Sequence, residues 1–250
     1  MENVTEAGNR SEETQRMKKT KPLYEGKAKI LWETDTPGYM VQEFKNDATA
    51  FDGTKHEVVE GKGVLNNTIS SHLFEQLKAE GVRTHFIEKI SDNEMVVERL
   101  EMLAVEVVVR NVADGSIVRR LGIERGTRFD PPLVEFYYKE DALHDPIITE
   151  DHIRVMGLAT REQVDQMKRD ALTVNVVMRN FLEQRDMILV DYKLEFGTKD
   201  GELVLGDEVS PDTCRFHDAN TGEVMDKDRF RQDMGGFMEA YAEVLNRVSS

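Results

Sequence analysis

The stretch Leu189-Val190-Asp191-Tyr192-Lys193-Leu194-Glu195-Phe196-Gly197 limits the fold more than any other part of the chain. Its polar and apolar residues alternate strictly, which is the period of a β-strand and not of a helix. Written as a strand, Val190, Tyr192, Leu194 and Phe196 share one face, and Asp191, Lys193 and Glu195 share the other. The first face belongs in a core. The second presents acid, base and acid at steps of about 6.6 Å. By strand pattern alone, the wet face of an antiparallel sheet is the commoner meaning of such alternation. The residues that follow change the weighting. Lys199-Asp200-Gly201 reads as a turn, and Glu202 to Val209 as a returning strand that carries Asp207 and Glu208. An odd-length loop would lay Asp207 opposite Lys193, diagonal to Asp191 and Glu195. A strict two-residue Asp200-Gly201 turn would point Asp207 away unless a bulge restores it. Carboxylates gathered around one lysine suit Mg²⁺, a hard cation that takes carboxylate and phosphate oxygens.

The rest of the chain divides by pattern. Residues 1–20 hold only Val4 and Met17 as sizeable apolar side chains, and a polar tail is expected there. From Lys21 to Leu103 the pattern is short and extended. Ala28–Glu33 and Tyr39–Phe44 flank Thr36-Pro37-Gly38, and His85–Ile90 and Glu94–Leu100 flank Ser91-Asp92-Asn93, so two hairpins are expected. Between them a helix capped by Asn66 or Asn67 should run to Ala79, with Gly81 just past its end. Beyond residue 104 the helices lengthen. Thr160 and Gln163 make a capping box, and Val164, Met167, Ala171, Val174, Met178 and Phe181 recur at helical steps behind it. A last helix is expected from Asp228 to Val248, weakened by Gly235-Gly236. The expected fold class is α+β in two lobes. Residues 21–103 form a small β-rich lobe, and residues 104–250 a larger mixed one.

Composition excludes whole classes of function. The formal net charge is −15, which repels bulk nucleic acid and anionic membrane, so neither is expected as a partner. Cys214 is the single cysteine, so no intrachain disulfide and no cysteine-based zinc site can form. No run of about 18 apolar residues exists, and the first 20 residues have no apolar core of a secretory signal. A reducing cytoplasm fits these features. The six histidines show no metal-binding spacing. Other segments bear chemistry more weakly. Gly26 with Lys27, Ala28 and Lys29 offers close backbone approach and two ammonium groups, although it is not a Walker loop. Arg110-Asn111 with Gly115-Ser116 suits a phosphate or carboxylate. Arg215, in the loop after the acidic strand, and Asp226 to Arg231, at a charged helix start, are further candidates.

Together these segments resemble the phosphoribosylaminoimidazole-succinocarboxamide (SAICAR) synthetase family. LVDYKLEFG (189–197) looks like one family signature without departure. MLAVEVVVRNVADGS (102–116) resembles the other, departing at Ala104 and Asp114. YEGKAK (24–29), DATAFDG (47–53), GKGVLNN (61–67), LGDEVSPD (205–212) and DKDRFRQ (226–232) are also similar, in the same order. The resemblance implies an ATP-dependent ligase of purine biosynthesis. It joins L-aspartate to the carboxylate of the aminoimidazole ribonucleotide CAIR, through an acyl phosphate. It implies a SAICAR-synthase-like, distantly kinase- and ATP-grasp-like fold, with ATP between the lobes and adenine near Met102. It further implies Gly26, Lys27, Ala28, Lys29 and Lys139 on the nucleotide, and Glu195 and Asp207 as Mg²⁺ ligands. Lys193 and Asp191 would work at the reacting centre, and Arg110, Ser116 and Arg215 on substrate anions. Asp52 and Arg231 are candidates for L-aspartate, and a homodimer is allowed. An inositol-polyphosphate-type kinase, which shares an Asp-x-Lys strand, and a catalytically dead binding module are the alternatives.

Overall fold

The computed structural model describes residues 17–50 and 53–250. The first hairpin forms as the turn residues demand: β2 (Lys29–Thr34) runs antiparallel to β3 (Tyr39–Phe44), with Lys29 opposite Phe44. β1 (Lys19–Glu25) adds to the outside of β2, so ordered strand begins within the stretch expected to be tail, while residues 1–16 lie outside the described residues. The second hairpin, β6 (Phe86–Lys89) and β7 (Glu94–Glu98), joins the same sheet in the order β1-β2-β3-β7-β6. β4 (Asp47–Ala50) and β5 (Lys55–Val58) make a separate two-stranded ribbon.

Helix α1 (Lys62–Ala79) starts a full turn before the expected cap. Its N-cap is Gly61, in a left-handed conformation without a side-chain cap. Asn66 and Asn67 instead lie inside the helix and are buried. The Asn67 amide donates to the carbonyls of Ser91, Asp92 and Glu94, so it holds the turn of the second hairpin. Gly63 explains the early start. A Cβ there would stand 2.5 Å from the Phe44 carbonyl oxygen, so only glycine lets the helix lie this close to β3.

The second sheet is built around β11 (Met187–Lys199). On one side lies β8 (Glu101–Val112), followed outward by β9 (Arg128–Tyr138) and the short β10 (Ile147–Ile148). On the other side two strands share the edge of β11. β12 (Glu202–Gly206) covers Glu195 to Lys199, and β13 (Cys214–Asp218) covers Met187 to Tyr192. The gap between them falls at Lys193, whose amide donates to the Thr213 carbonyl. α4 (Arg161–Glu183) opens with the expected Thr160–Gln163 capping box and buries Val164, Met167, Ala171, Val174 and Met178. The Tyr192 hydroxyl donates to the Ala171 carbonyl, so the apolar face of β11 is the one against the helix. The helices α2 (Ser116–Leu121) and α3 (Glu150–Met156) are short connections.

The expected final helix is two. α5 (Asp228–Arg231) stops, and α6 (Phe237–Val248) begins after Gly235 and Gly236. Both glycines have positive φ, 71° and 60°, so they end one helix and start another rather than weaken a single one. The sheets change at Arg99-Leu100, between β7 and β8, so residue 103 falls inside β8. One hydrophobic core runs through both sheets, from Phe44, Ile69 and Phe74 to Val107, Met167 and Phe196. A second, small cluster joins Ala48 and Ala50 of β4 to Phe230 of α5.

Candidate active site

The polar face of β11 floors a cavity of about 1090 Å³ that opens between the two sheets. Its two ends are built differently. At the arginine end, ladder register does the work. Arg110 of β8, Asp191 of β11 and Arg215 of β13 are direct cross-strand neighbours, so one carboxylate stands between two guanidinium groups. Arg110 reaches Asp191 at 2.6 Å and Glu135 of β9 at 2.7 Å, and Arg215 reaches Asp191 at 3.0 Å and Asp228 of α5 at 2.8 Å. Ser116, the first residue of α2, accepts from Arg110 at 3.3 Å. Gly115 makes room: a Cβ there would lie 2.5 Å from the Arg215 guanidinium. Burial disfavours charge on Arg215, but Asp191 and Asp228 raise its pKa above the ordinary arginine value. Beneath it, burial and the neighbouring Asp228 push the Asp226 carboxyl up to about 7. The departure at Asp114 has its own role, accepting from the Gly115 amide at 2.6 Å and pairing with Arg125 at 3.2 Å.

At the lysine end, residues from distant parts of the chain converge. Lys29 of β2 is paired with Asp207 and, at 2.8 Å, with Glu208. Lys193 lies 2.6 Å from Glu195 and 2.8 Å from Glu106, and Lys139 pairs with Glu195. Burial alone would raise the Asp207 pKa, but Lys29, Lys193 and Lys139 outweigh it and hold it well below the usual carboxylate range. Glu195 is likewise lowered: burial and Asp207 oppose ionisation, and Lys193 and Lys139 overcome them. Glu106 has fewer cations about it, and burial leaves its pKa raised.

Asp207 reaches this position by neither route expected from the loop length. The turn is the strict two-residue one, with Lys199 opposite Glu202 and Glu195 opposite Gly206. Asp207 is therefore not opposite Lys193, and continued extension would have placed it on the core face with Leu203 and Leu205. The strand ends at Gly206, and Asp207 adopts a left-handed backbone with φ 60°. That conformation costs on the order of 1–2 kcal/mol for a non-glycine residue, least for aspartate and asparagine. It turns the carboxylate back to the Glu195 side.

The other expected residues divide clearly. Gly26, Lys27, Ala28, Lys29, Lys139 and Arg231 also line the cavity, and Lys27 bridges to Asp141 at 2.7 Å. Asp52 lies outside the described residues, although its neighbours Ala50 and Gly53 line the cavity. Met102 and Ser116 are not among the lining residues. Met102 is 45% exposed, with its sulfur over Gly197 and Gly206. Asn111 is structural, bonded to Asn175 and to the Leu189 carbonyl. Sequence reasoning missed Glu106, although period 2 puts it on the Arg110 face of β8. It also missed Lys62, which is fully buried and paired at 2.7 Å with Asp212 beside the cavity. No one-dimensional signal marks that lysine.

The donor set bears on metal binding. Among the described residues, no three His, Cys, Asp or Glu side chains converge closely enough to cage an ion by themselves. Mg²⁺ does not require such a cage, because it commonly uses one or two carboxylates and completes its shell with water and substrate phosphates. Glu195 and Asp207, two ionised carboxylates whose charges oppose one another beside three ammonium groups, fit that use.

Comparison with known proteins shows the family. Residues 22–248 match the family model described as SAICAR synthetase. A phosphoribosylaminoimidazole-succinocarboxamide synthase of Persephonella marina is 56% identical over 93% of this chain and 98% of its own length. The crystal structure of the corresponding synthase from Ehrlichia chaffeensis superposes with a TM-score of 0.90 at 39% identity, covering 92% of this chain and 98% of the other. A SAICAR synthetase in complex with ADP gives a TM-score of 0.87 at 46% identity, covering 90% and 96%.

Proposed function

The chain belongs to the SAICAR synthetase family, and from that premise we infer that it is an ATP-dependent ligase of purine biosynthesis. It joins L-aspartate to the carboxylate of CAIR, yielding SAICAR, ADP and phosphate. The observation that carries this reading is the family match over residues 22–248, nearly the whole described chain. The same match disfavours the kinase alternative.

The chemistry follows from the leaving group. A carboxylate oxygen departs poorly, so the γ-phosphoryl group of ATP is first transferred to it. The aspartate amine then attacks the acyl carbon and phosphate leaves. Little covalent work falls to the protein; positioning and charge neutralisation carry the rate. The lysine end supplies that charge. Gly26 to Lys29 cover the nucleotide phosphates, with Lys139 on the same side, and Lys193 meets the transferring phosphoryl group or the substrate carboxylate. Glu195 and Asp207 would hold Mg²⁺, which supplies neutralisation of phosphate charge when bound. Lys29, Lys139 and Lys193, paired with these carboxylates, stand where their ammonium groups can reach the phosphates. The arginine end takes the ribonucleotide's anions through Arg110, Ser116 and Arg215, with Asp191 fixing both guanidinium groups. Met102 flanks the adenine, and Asp52 and Arg231 take L-aspartate. An acidic chain with one buried thiol suits the cytoplasm.

The test is release of ADP from ATP with CAIR and Mg²⁺, with and without L-aspartate. Release that requires L-aspartate, with SAICAR as product, is expected. Phosphorylation of a polyol without any need for L-aspartate would overturn the reading.

A further inference from the structure

Asp207 leaves β12 in a conformation that its own strand does not impose, so something outside the strand must hold it. Two buried side chains meet its carbonyl oxygen. The Gln42 amide of β3 donates to it at 3.3 Å, and the His85 ring places Nε2 3.1 Å away. A carbonyl oxygen only accepts, so Nε2 carries the hydrogen. Both residues are almost wholly buried and belong to the first sheet or its approach, whereas Asp207 belongs to the second.

His85 is itself fixed from two sides. Its backbone amide donates to the Leu205 carbonyl at 2.8 Å, and the Leu205 amide donates to the Arg83 carbonyl at 3.1 Å. Its ring meets the Phe74 ring edge-on, with centroids 5.4 Å apart. The segment 83–85 thus grips β12 two residues before Asp207 and holds the next carbonyl but one. A peptide plane held at its oxygen by two donors cannot rotate back to extension without breaking both bonds and leaving two buried donors unpaired.

We propose that Gln42 and His85 are positioning residues for phosphoryl transfer, locking the left-handed turn that carries the Asp207 carboxylate from the core face of β12 into the cleft. The proposal rests on the reading of Asp207 as a cation ligand. It makes the metal end depend on docking of the first sheet on the second, because the donors and the carboxylate lie on opposite sides of that contact.

The test uses His85→Phe, which keeps a ring against Phe74 and removes the donor, and Gln42→Leu, which keeps approximate shape and removes the other. Binding of Mn²⁺ in the presence of ADP, followed by the EPR signal of free Mn²⁺, is measured beside ADP release. Each single variant should raise the Mn²⁺ Kd by about 10-fold, as loss of groups that orient a ligand does, and the double variant by more. The KM for the ribonucleotide should stay within about twofold, because the arginine end is untouched. His85→Gln, which restores an amide donor, should recover most of the loss. Lowered thermal stability with an unchanged Mn²⁺ Kd would overturn the proposal, leaving both residues purely structural. Asp207→Asn is measured in parallel. If it binds Mn²⁺ as the parent does, the reading of Asp207 itself falls. If it loses Mn²⁺ while Gln42→Leu and His85→Phe retain it, only the positioning role falls. Should His85→Phe not fold, Gln42→Leu decides the matter alone.

Discussion

The lysine end and the arginine end of the cleft hold charge in different ways. At the arginine end, Arg110, Asp191 and Arg215 are neighbours in one ladder, closed on both sides by Glu135 and Asp228. Every member has a charged partner, so on the proposed reading an incoming anion would meet donors already aimed. At the lysine end, Lys29, Lys139 and Lys193 arrive from separate elements and pair with Glu195, Asp207 and Glu208. On the proposed reading these partners would be exchanged, the carboxylates for a cation and the lysines for phosphates. Preorganisation should therefore show as stability at the first end, and exchange should show as turnover at the second.

The largest expected effect breaks the arginine end. Arg110→Ala removes one of the two guanidinium groups on each of two buried carboxylates, leaving Arg120 on Glu135 and Arg215 on Asp191, so the cost of about 3–5 kcal/mol for taking one member from a buried ion pair is an upper bound. Urea unfolding should show this loss before any substrate is added; an unchanged midpoint would mean that the arginine end is not preorganised. Binding effects are then best read from Ser116→Ala, which should raise the KM for the ribonucleotide and leave that for ATP alone.

Next comes pH. Asp226 is raised from 3.8 to about 7 in the folded state, so folding favours its neutral form. The sign follows directly. That contribution is complete below the unfolded value near 3.8 and is lost as pH rises through about 7. A shift of this size sets an upper bound of about 4 kcal/mol. Asp226→Asn should flatten the stability profile between pH 4 and 8. A variant whose unfolding free energy follows the same pH curve as the parent would show that Asp226 does not set it.

Asp207→Asn should do the reverse of Arg110→Ala. Asparagine tolerates the left-handed backbone, and Lys29 retains Glu208, so stability should change by no more than about 1 kcal/mol. Turnover in ADP release should fall by roughly 100-fold or more, about 2.7 kcal/mol of barrier. A variant that unfolds easily yet turns over normally would erase the contrast between the two ends. The smallest effect belongs to the rim. Lys27 and Asp141 are both largely exposed, so Asp141→Ala should shift stability by less than about 0.5 kcal/mol in thermal unfolding.

Much of this was legible in one dimension, and the reason is periodicity. Alternation assigned Tyr192, Leu194 and Phe196 to the core and Asp191, Lys193 and Glu195 to the opposite face, because a strand has no other way to place them, and the structure turns that face to the cleft. The capping box at Thr160 and Gln163 was equally local and fixed where α4 begins. Pairs of elements set the rest. Gly63 against Phe44 moved the start of α1 away from the asparagines that look like caps, and those asparagines were needed at a distant turn. Lys62 found Asp212 across 150 positions. The position of Asp207 is the sharpest instance. The two-residue turn at Asp200-Gly201 and the period of β12 both point it into the core. The observed turn, one of two that the sequence left open, sets the register, but the bonds from Gln42 and His85 come from another sheet and its approach. Only the docked structure therefore decides which way that carboxylate turns.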